Sequence, residues 1–218
     1  MTTNYGNQGS HGSHGNDGNE VPAEAPISRP LPGSHLADPA PLGLAAFALT
    51  TFLLSVVNAG WMDGANEGYV LGVALAYGGI AQFAAGMWEF AKGNTFGAVA
   101  FSSYGAFWVS FWWLVEHDAG NLADPDKAVG WYLFAWGIFT LYMAVAATRV
   151  SLAVLAVFVL LTLTFFVLAW GKWATSDGIT HLGGYLGLLT AIAAWYTSFA
   201  AVTAFTFKRP LLPVWSRT

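Results

Sequence analysis

The run VSLAVLAVFVLLTLTFFVLAWG, residues 150–171, holds no Asp, Glu, Lys or Arg in 22 residues. A helix of roughly 20 apolar residues crosses a ~30 Å hydrocarbon core, and it satisfies its own backbone while doing so. Five more windows share the property: 42–60, 68–88, 93–115, 128–148 and 178–207, which are 19, 21, 23, 21 and 30 residues long. Across all 218 residues the chain is 56% hydrophobic and 9% charged, against about 45–50% and about 25% for a soluble domain. Such a chain cannot clothe a water-facing surface, which excludes an ordinary soluble enzyme. The expectation is an all-α, polytopic membrane protein. Its six transmembrane helices run over about 42–60, 68–91, 93–115, 128–148, 150–171 and 178–207, inside a single domain of residues 38–207. There is no cysteine, so disulfides, thiolate metal sites and cysteine nucleophiles are absent, and a net charge of −4 carries no nucleic-acid footprint.

Residues 1–37 read as a Gly-, His- and Pro-rich tail that is expected to be disordered, since it holds too little apolar surface to offset its ordering entropy. No apolar stretch follows the start, so no cleavable signal peptide is expected and the first span directs insertion. Arg29, Lys92, Arg149, Lys208, Arg209 and Arg217 gather on one side of the expected membrane, and only Lys127 and Lys172 lie on the other. This bias places both termini in the cytoplasm, with 208–218 as a short cytoplasmic tail. Trp61, Trp112, Trp113, Trp131, Trp170 and Trp173 fall near the opposite span ends, where indole rings anchor at the interface.

Polar side chains within hydrocarbon are costly and face a partner, a bundle interior or a wet path. In the first span Phe47, Thr50, Thr51, Leu54 and Asn58 share a helix face by their spacing. Gln82 sits mid-way along the second span and offers both donors and an acceptor. Glu89, near the end of that span, lies three residues from Lys92, the spacing of a helical ion pair. Ser102, Ser103, Tyr104 and Trp108 lie in the third span, with Tyr104 and Trp108 on one face. The Tyr104 hydroxyl reads either as a group that touches a solute or as that of a core tyrosine bonded to a carbonyl. Gly68 and Gly72, Gly93 and Gly97, and Gly183 and Gly187 are pairs four apart, a pattern that lets helices approach closely. There is no G-x-S-x-G elbow, phosphate loop or helical pair of metal-binding histidines, so no enzyme, metal or organic cofactor is indicated.

Ahead of the first span stands Asp38-Pro39-Ala40-Pro41-Leu42-Gly43-Leu44. Asp38 reads as a helix N-cap and the prolines as first-turn residues. The helix end they form would face the inner mouth of a path. This stretch resembles the Asn-Pro-Ala-Pro-Leu-Gly-Leu signature of the acetate uptake transporter family, with Asp38 where that family has Asn. The resemblance continues through Tyr77-Gly78-Gly79-Ile80-Ala81-Gln82, Lys92-Gly93-Asn94-Thr95-Phe96-Gly97, Ser103-Tyr104-Gly105 and Trp136-Gly137-Ile138-Phe139-Thr140, covering roughly residues 36–207. It implies a homohexamer of six-helix subunits, each with its own path. It also implies an apolar constriction at Phe47, Tyr104 and Leu161, and an inner-mouth motif at Asp38, Pro39, Pro41 and Gly43. Substrate contact is expected from the polar and aromatic groups Thr50, Asn58, Gln82, Ser103 and Trp108.

The expected function is therefore transport of acetate, and of other short carboxylates such as succinate, linked to protons, in the cell membrane. An ionised carboxylate is costly to bury unpaired, so it crosses such a ring either when the ring wets or when the acid is protonated. The alternative is a channel for a small neutral solute such as urea, an amide or ammonia. A third is a membrane protein without flux.

Overall fold

The structure, a computed structural model, describes residues 36–118 and 121–217. The expected tail lies outside the described residues apart from its last two. Six helical segments are long and apolar enough to cross a membrane. We label them α1 (Ala40–Asn58), α2 (Gly68–Val73, Ala74–Ala81 and Gln82–Lys92 in one continuous rod), α3 (Thr95–Trp113), α4 (Pro125–Ala147), α5 (Leu152–Ala174) and α6 (Asp177–Thr206). The middle stretch of α2 is π-helical, and a π-helical turn, Leu114–Asp118, prolongs α3. No strand occurs among the described residues; one isolated antiparallel bridge joins Ser151 to Ser216.

Several helix ends have a local cause. Asn94 caps α3 by accepting from Gly97 N–H at 3.2 Å, and Ser151 caps α5 by accepting from Val154 N–H at 3.1 Å. Gly93, at φ +81°, ends α2 in the left-handed region that a glycine adopts freely. The start of α1 differs from the sequence expectation. Ala40 is its first residue and Pro39 occupies the cap position; Asp38 stands one residue further out. Its carboxylate still accepts from Ala40 N–H, at 3.3 Å. A proline lacks a side-chain acceptor, so the Asp38 oxygen reaches over it to one of the four orphan donors of the first turn.

Two packing groups make the bundle. In one, α1 lies against α6, α6 against α5, and α5 against α4. In the other, α2 and α3 form an antiparallel pair that meets α1 chiefly through α2. The α2–α3 seam runs along small residues: a Cβ on Gly105 would stand 2.6 Å from Phe83 N, and one on Gly86 would overlap the Ser102 backbone. On the α1–α6 side a Cβ at Gly184 would overlap the backbone of Asn58 and Ala59. Without hydrophobic drive between helices in lipid, such close backbone contact supplies much of the association. The glycine pattern is only partly realised, since Gly68, Gly72 and Gly93 face open space while Gly97, Gly183 and Gly187 are packed.

Between α3 and α4 the backbones stay apart and rings fill the gap. Tyr104 lies 6.2 Å from Trp136 and 5.4 Å from Phe139, and Phe107 lies 5.6 Å from Tyr132 and 5.3 Å from Trp136, between ring centroids. The 208–217 segment folds back across the helix ends. Trp215 O accepts from Leu152 N–H at 3.2 Å, Val214 O from Ala153 N–H at 3.3 Å, and Val150 O from Arg217 N–H at 3.0 Å. The tail thus satisfies two orphan donors in the first turn of α5.

Candidate functional site

Two cavities lie within the bundle. The wider, about 570 Å³, opens at the end opposite the chain termini. Its polar lining includes Asn58, Asp63, Glu67, Lys172, Asp177 and His181. Its apolar depth reaches Phe107, one helical turn from Tyr104. Lys172 also pairs with Asp126 at 3.4 Å, so the mouth holds carboxylates in excess of cations. A Cβ on Gly60, at φ +73°, would stand 2.5 Å from His181 Nε2, so the imidazole rests on bare backbone there.

The second cavity measures about 20 Å³ and is enclosed by α1, α2, α3 and α5. Phe47, Gln82, Tyr104 and Leu161 all line it, with Phe101 and Phe158. Phe47 and Tyr104 stand 5.6 Å apart between ring centroids. Such a volume accommodates about one water and is too small for acetate. Gln82 is 1% exposed and its Oε1 has no hydrogen-bond partner among the described residues. The Tyr104 hydroxyl does not face the cavity's solute space as a free group. It lies 2.9 Å from Thr140 Oγ1 on α4, so the phenol is bonded within the core, to a hydroxyl and not to the carbonyl the sequence reading expected.

The remaining expected contacts scatter. Asn58 lines the wide vestibule, far from the constriction cavity. Thr50 is fully buried, donates to Ala46 O at 2.9 Å and packs against Gly78, within the π-helical stretch of α2. Trp108 is buried against Phe107 and Phe111 with its Nε1–H unpartnered. Ser103 is half-buried. Thr50, Ser103 and Trp108 line neither of the two cavities.

The inner-mouth motif ties three helices together. Pro41 O accepts from Ser198 Oγ of α6 at 2.7 Å, and Gly43 leaves room for the Phe101 ring of α3. Asp38 pairs with Lys92 at 2.6 Å. That pair replaces the expected Glu89–Lys92 bridge. Lys92 stands at the very end of α2 and swings out to Asp38, whereas Glu89 is fully buried and accepts from Asn94 Nδ2 at 2.9 Å. Three features escaped the sequence reading. The vestibule's charged lining gathers Asp63 and Glu67 from the α1–α2 connection with Lys172, Asp177 and His181 from the facing ends of α5 and α6, a convergence that no spacing announces; Thr140 carried no signal beyond its place in a motif, and the docking of 208–217 is made by backbone groups.

Comparison with known proteins fits this geometry. A family model described as the GPR1/FUN34/yaaH family matches residues 22–213. The chain is 43% identical over 180 residues to Accumulation of dyads protein 2 of Saccharomyces cerevisiae, covering 79% of this chain and 64% of that one. It is 40% identical over 183 residues to the succinate-acetate/proton symporter SatP of Escherichia coli K12, covering 83% of this chain and 96% of that one. A solved structure of the bacterial acetate channel SatP superposes with a TM-score of 0.77 at 39% identity, covering 82% of this chain and 99% of that one. The chain thus spans nearly the whole bacterial relative but under two thirds of the yeast protein's length. Six apolar helices and relatives named as a symporter and a channel make this a multi-pass membrane protein.

Proposed function

The chain belongs to the GPR1/FUN34/yaaH family, and from that premise we propose that it is a transporter and not an enzyme. It carries acetate and other short carboxylates such as succinate across the cell membrane together with protons. The path runs inside each subunit of a homohexamer, with both termini in the cytoplasm. The observation that carries this reading is the convergence of Phe47, Tyr104 and Leu161, from three helices, on a cavity of about 20 Å³ beside the unpartnered Gln82.

The chemistry of Gln82 favours one form of the substrate. A carboxamide presents a donor and an acceptor side by side. A neutral carboxylic acid satisfies both at once, its O–H on the amide oxygen and its C=O on the amide N–H. A carboxylate satisfies only the donor and leaves Oε1 bare. Around Gln82 the walls are apolar, and an unpaired ion in such surroundings costs far more than a neutral acid does. The acidic vestibule acts in the same sense, since it repels anions and leaves the neutral acid unaffected. A proton then travels with each substrate without any titrating side chain in the ring.

The test is uptake of radiolabelled acetate into proteoliposomes at fixed total acetate across a pH series, with and without a proton ionophore. Above the carboxylic-acid range the neutral fraction falls about tenfold per pH unit, and flux should follow it. Flux that tracks total acetate and ignores pH would reject passage of the neutral form. Uptake of urea without uptake of acetate would instead establish the neutral-solute channel.

A further inference from the structure

We propose that Thr140 is a positioning residue that holds the Tyr104 ring across the constriction, so that one side-chain hydrogen bond on α4 governs how far the path opens and how large an acid it admits. The inference rests on the constriction reading above.

Proton bookkeeping fixes the direction of this bond. Thr140 Oγ1 donates to Trp136 O at 2.7 Å, one turn back on its own helix. A threonine hydroxyl has a single proton. With that proton on the Trp136 carbonyl, the 2.9 Å contact with Tyr104 requires the phenol to donate and Thr140 to accept. Thr140 is itself fully buried and anchored by its backbone bond, so it offers Tyr104 a fixed acceptor rather than a mobile one.

The rings around Tyr104 do not supply the same constraint. Phe47, Trp136, Phe139 and Phe158 stand 5.6, 6.2, 5.4 and 6.0 Å from it between centroids. Aromatic contacts of this kind fill space and tolerate a broad range of angles. The hydrogen bond adds direction. A buried phenol that leaves its acceptor loses a bond that water cannot replace, so ring rotations that move the hydroxyl off Thr140 are disfavoured. Those rotations reshape the cavity that Tyr104 shares with Phe47, Leu161 and Gln82. Thr140 touches neither cavity itself; its influence passes through Tyr104. This gives the Trp136–Thr140 motif a physical role: Trp136 supplies both a wall of the ring cluster and the carbonyl that orients Thr140.

The experiment compares uptake of acetate and butyrate by the full chain in proteoliposomes. The variants are Thr140→Val, Thr140→Ser, Tyr104→Phe and the double variant Thr140→Val/Tyr104→Phe, with Phe47→Ala as a direct change in the constriction. Thr140→Val and Tyr104→Phe should each raise the butyrate-to-acetate ratio by about fivefold, the factor corresponding to the net worth of one hydrogen bond. Thr140→Ser, which keeps the acceptor, should retain the parent ratio, and the double variant should do no more than either single one. A parent-like ratio in Thr140→Val, alongside a raised ratio in Phe47→Ala, overturns the role of Thr140 and leaves the constriction standing. A parent-like ratio in Phe47→Ala as well overturns both. Should Thr140→Val fail to reconstitute, Tyr104→Phe decides, because it cuts the same bond and leaves the Thr140–Trp136 bond intact.

Discussion

Gln82 is buried to 1% exposure with an acceptor atom that finds no partner among the described residues. A group of this kind weakens the fold, and removing it together with its desolvation cost is close to neutral or stabilising. Function and stability should therefore separate at this position. Gln82→Leu is expected to lower acetate uptake about tenfold, the loss of roughly one good hydrogen bond to substrate, while leaving thermal unfolding in detergent unchanged or raised. A parallel fall in both would mark Gln82 as a structural residue. At the same scale, the sequence singled out Gln82 because a lone amide in an apolar run stands out from its neighbours, and the structure places it on the small cavity. It misassigned Lys92, because the three-residue spacing to Glu89 describes helix neighbours and says nothing about a partner arriving from another segment. Asp38 is that partner, and the change from the family's Asn supplies the charge it needs. Both side chains are about one third to one half exposed, so the pair contributes little to stability and mainly sets where the chain enters α1.

At the scale of elements, the six helices were legible because an uncharged run of membrane-crossing length has only one satisfied backbone conformation in lipid. The π-helical stretch Ala74–Ala81 was not, since its inserted residue leaves no trace in hydropathy. Two adjacent glycines mark it: Gly78 packs on Thr50 of α1, and Gly79 on Val109 of α3. Such a bulge shifts the register of everything beyond it, and Gln82 is the first residue past it. Which glycines pack was equally invisible, because spacing reveals that two share a face but not what that face meets. The contrast is measurable. Gly105→Ala places a methyl 2.6 Å from the Phe83 nitrogen, where backbone cannot yield, and should destabilise the protein by about 1–3 kcal/mol. Gly72→Ala meets nothing within 4 Å and should be neutral or slightly stabilising, as Ala is the better helix former. Equal melting temperatures for the two would refute the seam.

For the whole molecule, the sequence placed residues 208–218 outside the bundle as a plain tail. Pro210 and Pro213 do preclude a helix there, yet the segment is built in through main-chain contacts that no residue pattern announces. Tyr196 adds to them by donating its hydroxyl to Pro213 O at 2.7 Å. Deleting 210–218 strips Leu152 and Ala153 of their acceptors, and should cost about 1–3 kcal/mol of stability with the acetate path left intact. The check is the unfolding temperature alongside uptake, and an unchanged melt would mean that the tail only rests on the surface. The proposed constriction, by contrast, comes from the family resemblance, because Phe47 and Tyr104 sit in or beside recognisable motifs. Its geometry was not legible, because three helices distant in sequence meet there.

The gap between α3 and α4 is closed by rings, and the main chains on its two sides stay apart. A wall of that construction has shutters instead of masonry. A change of rotamer at Tyr104 or Phe107 would leave every helix its own ladder of amide bonds.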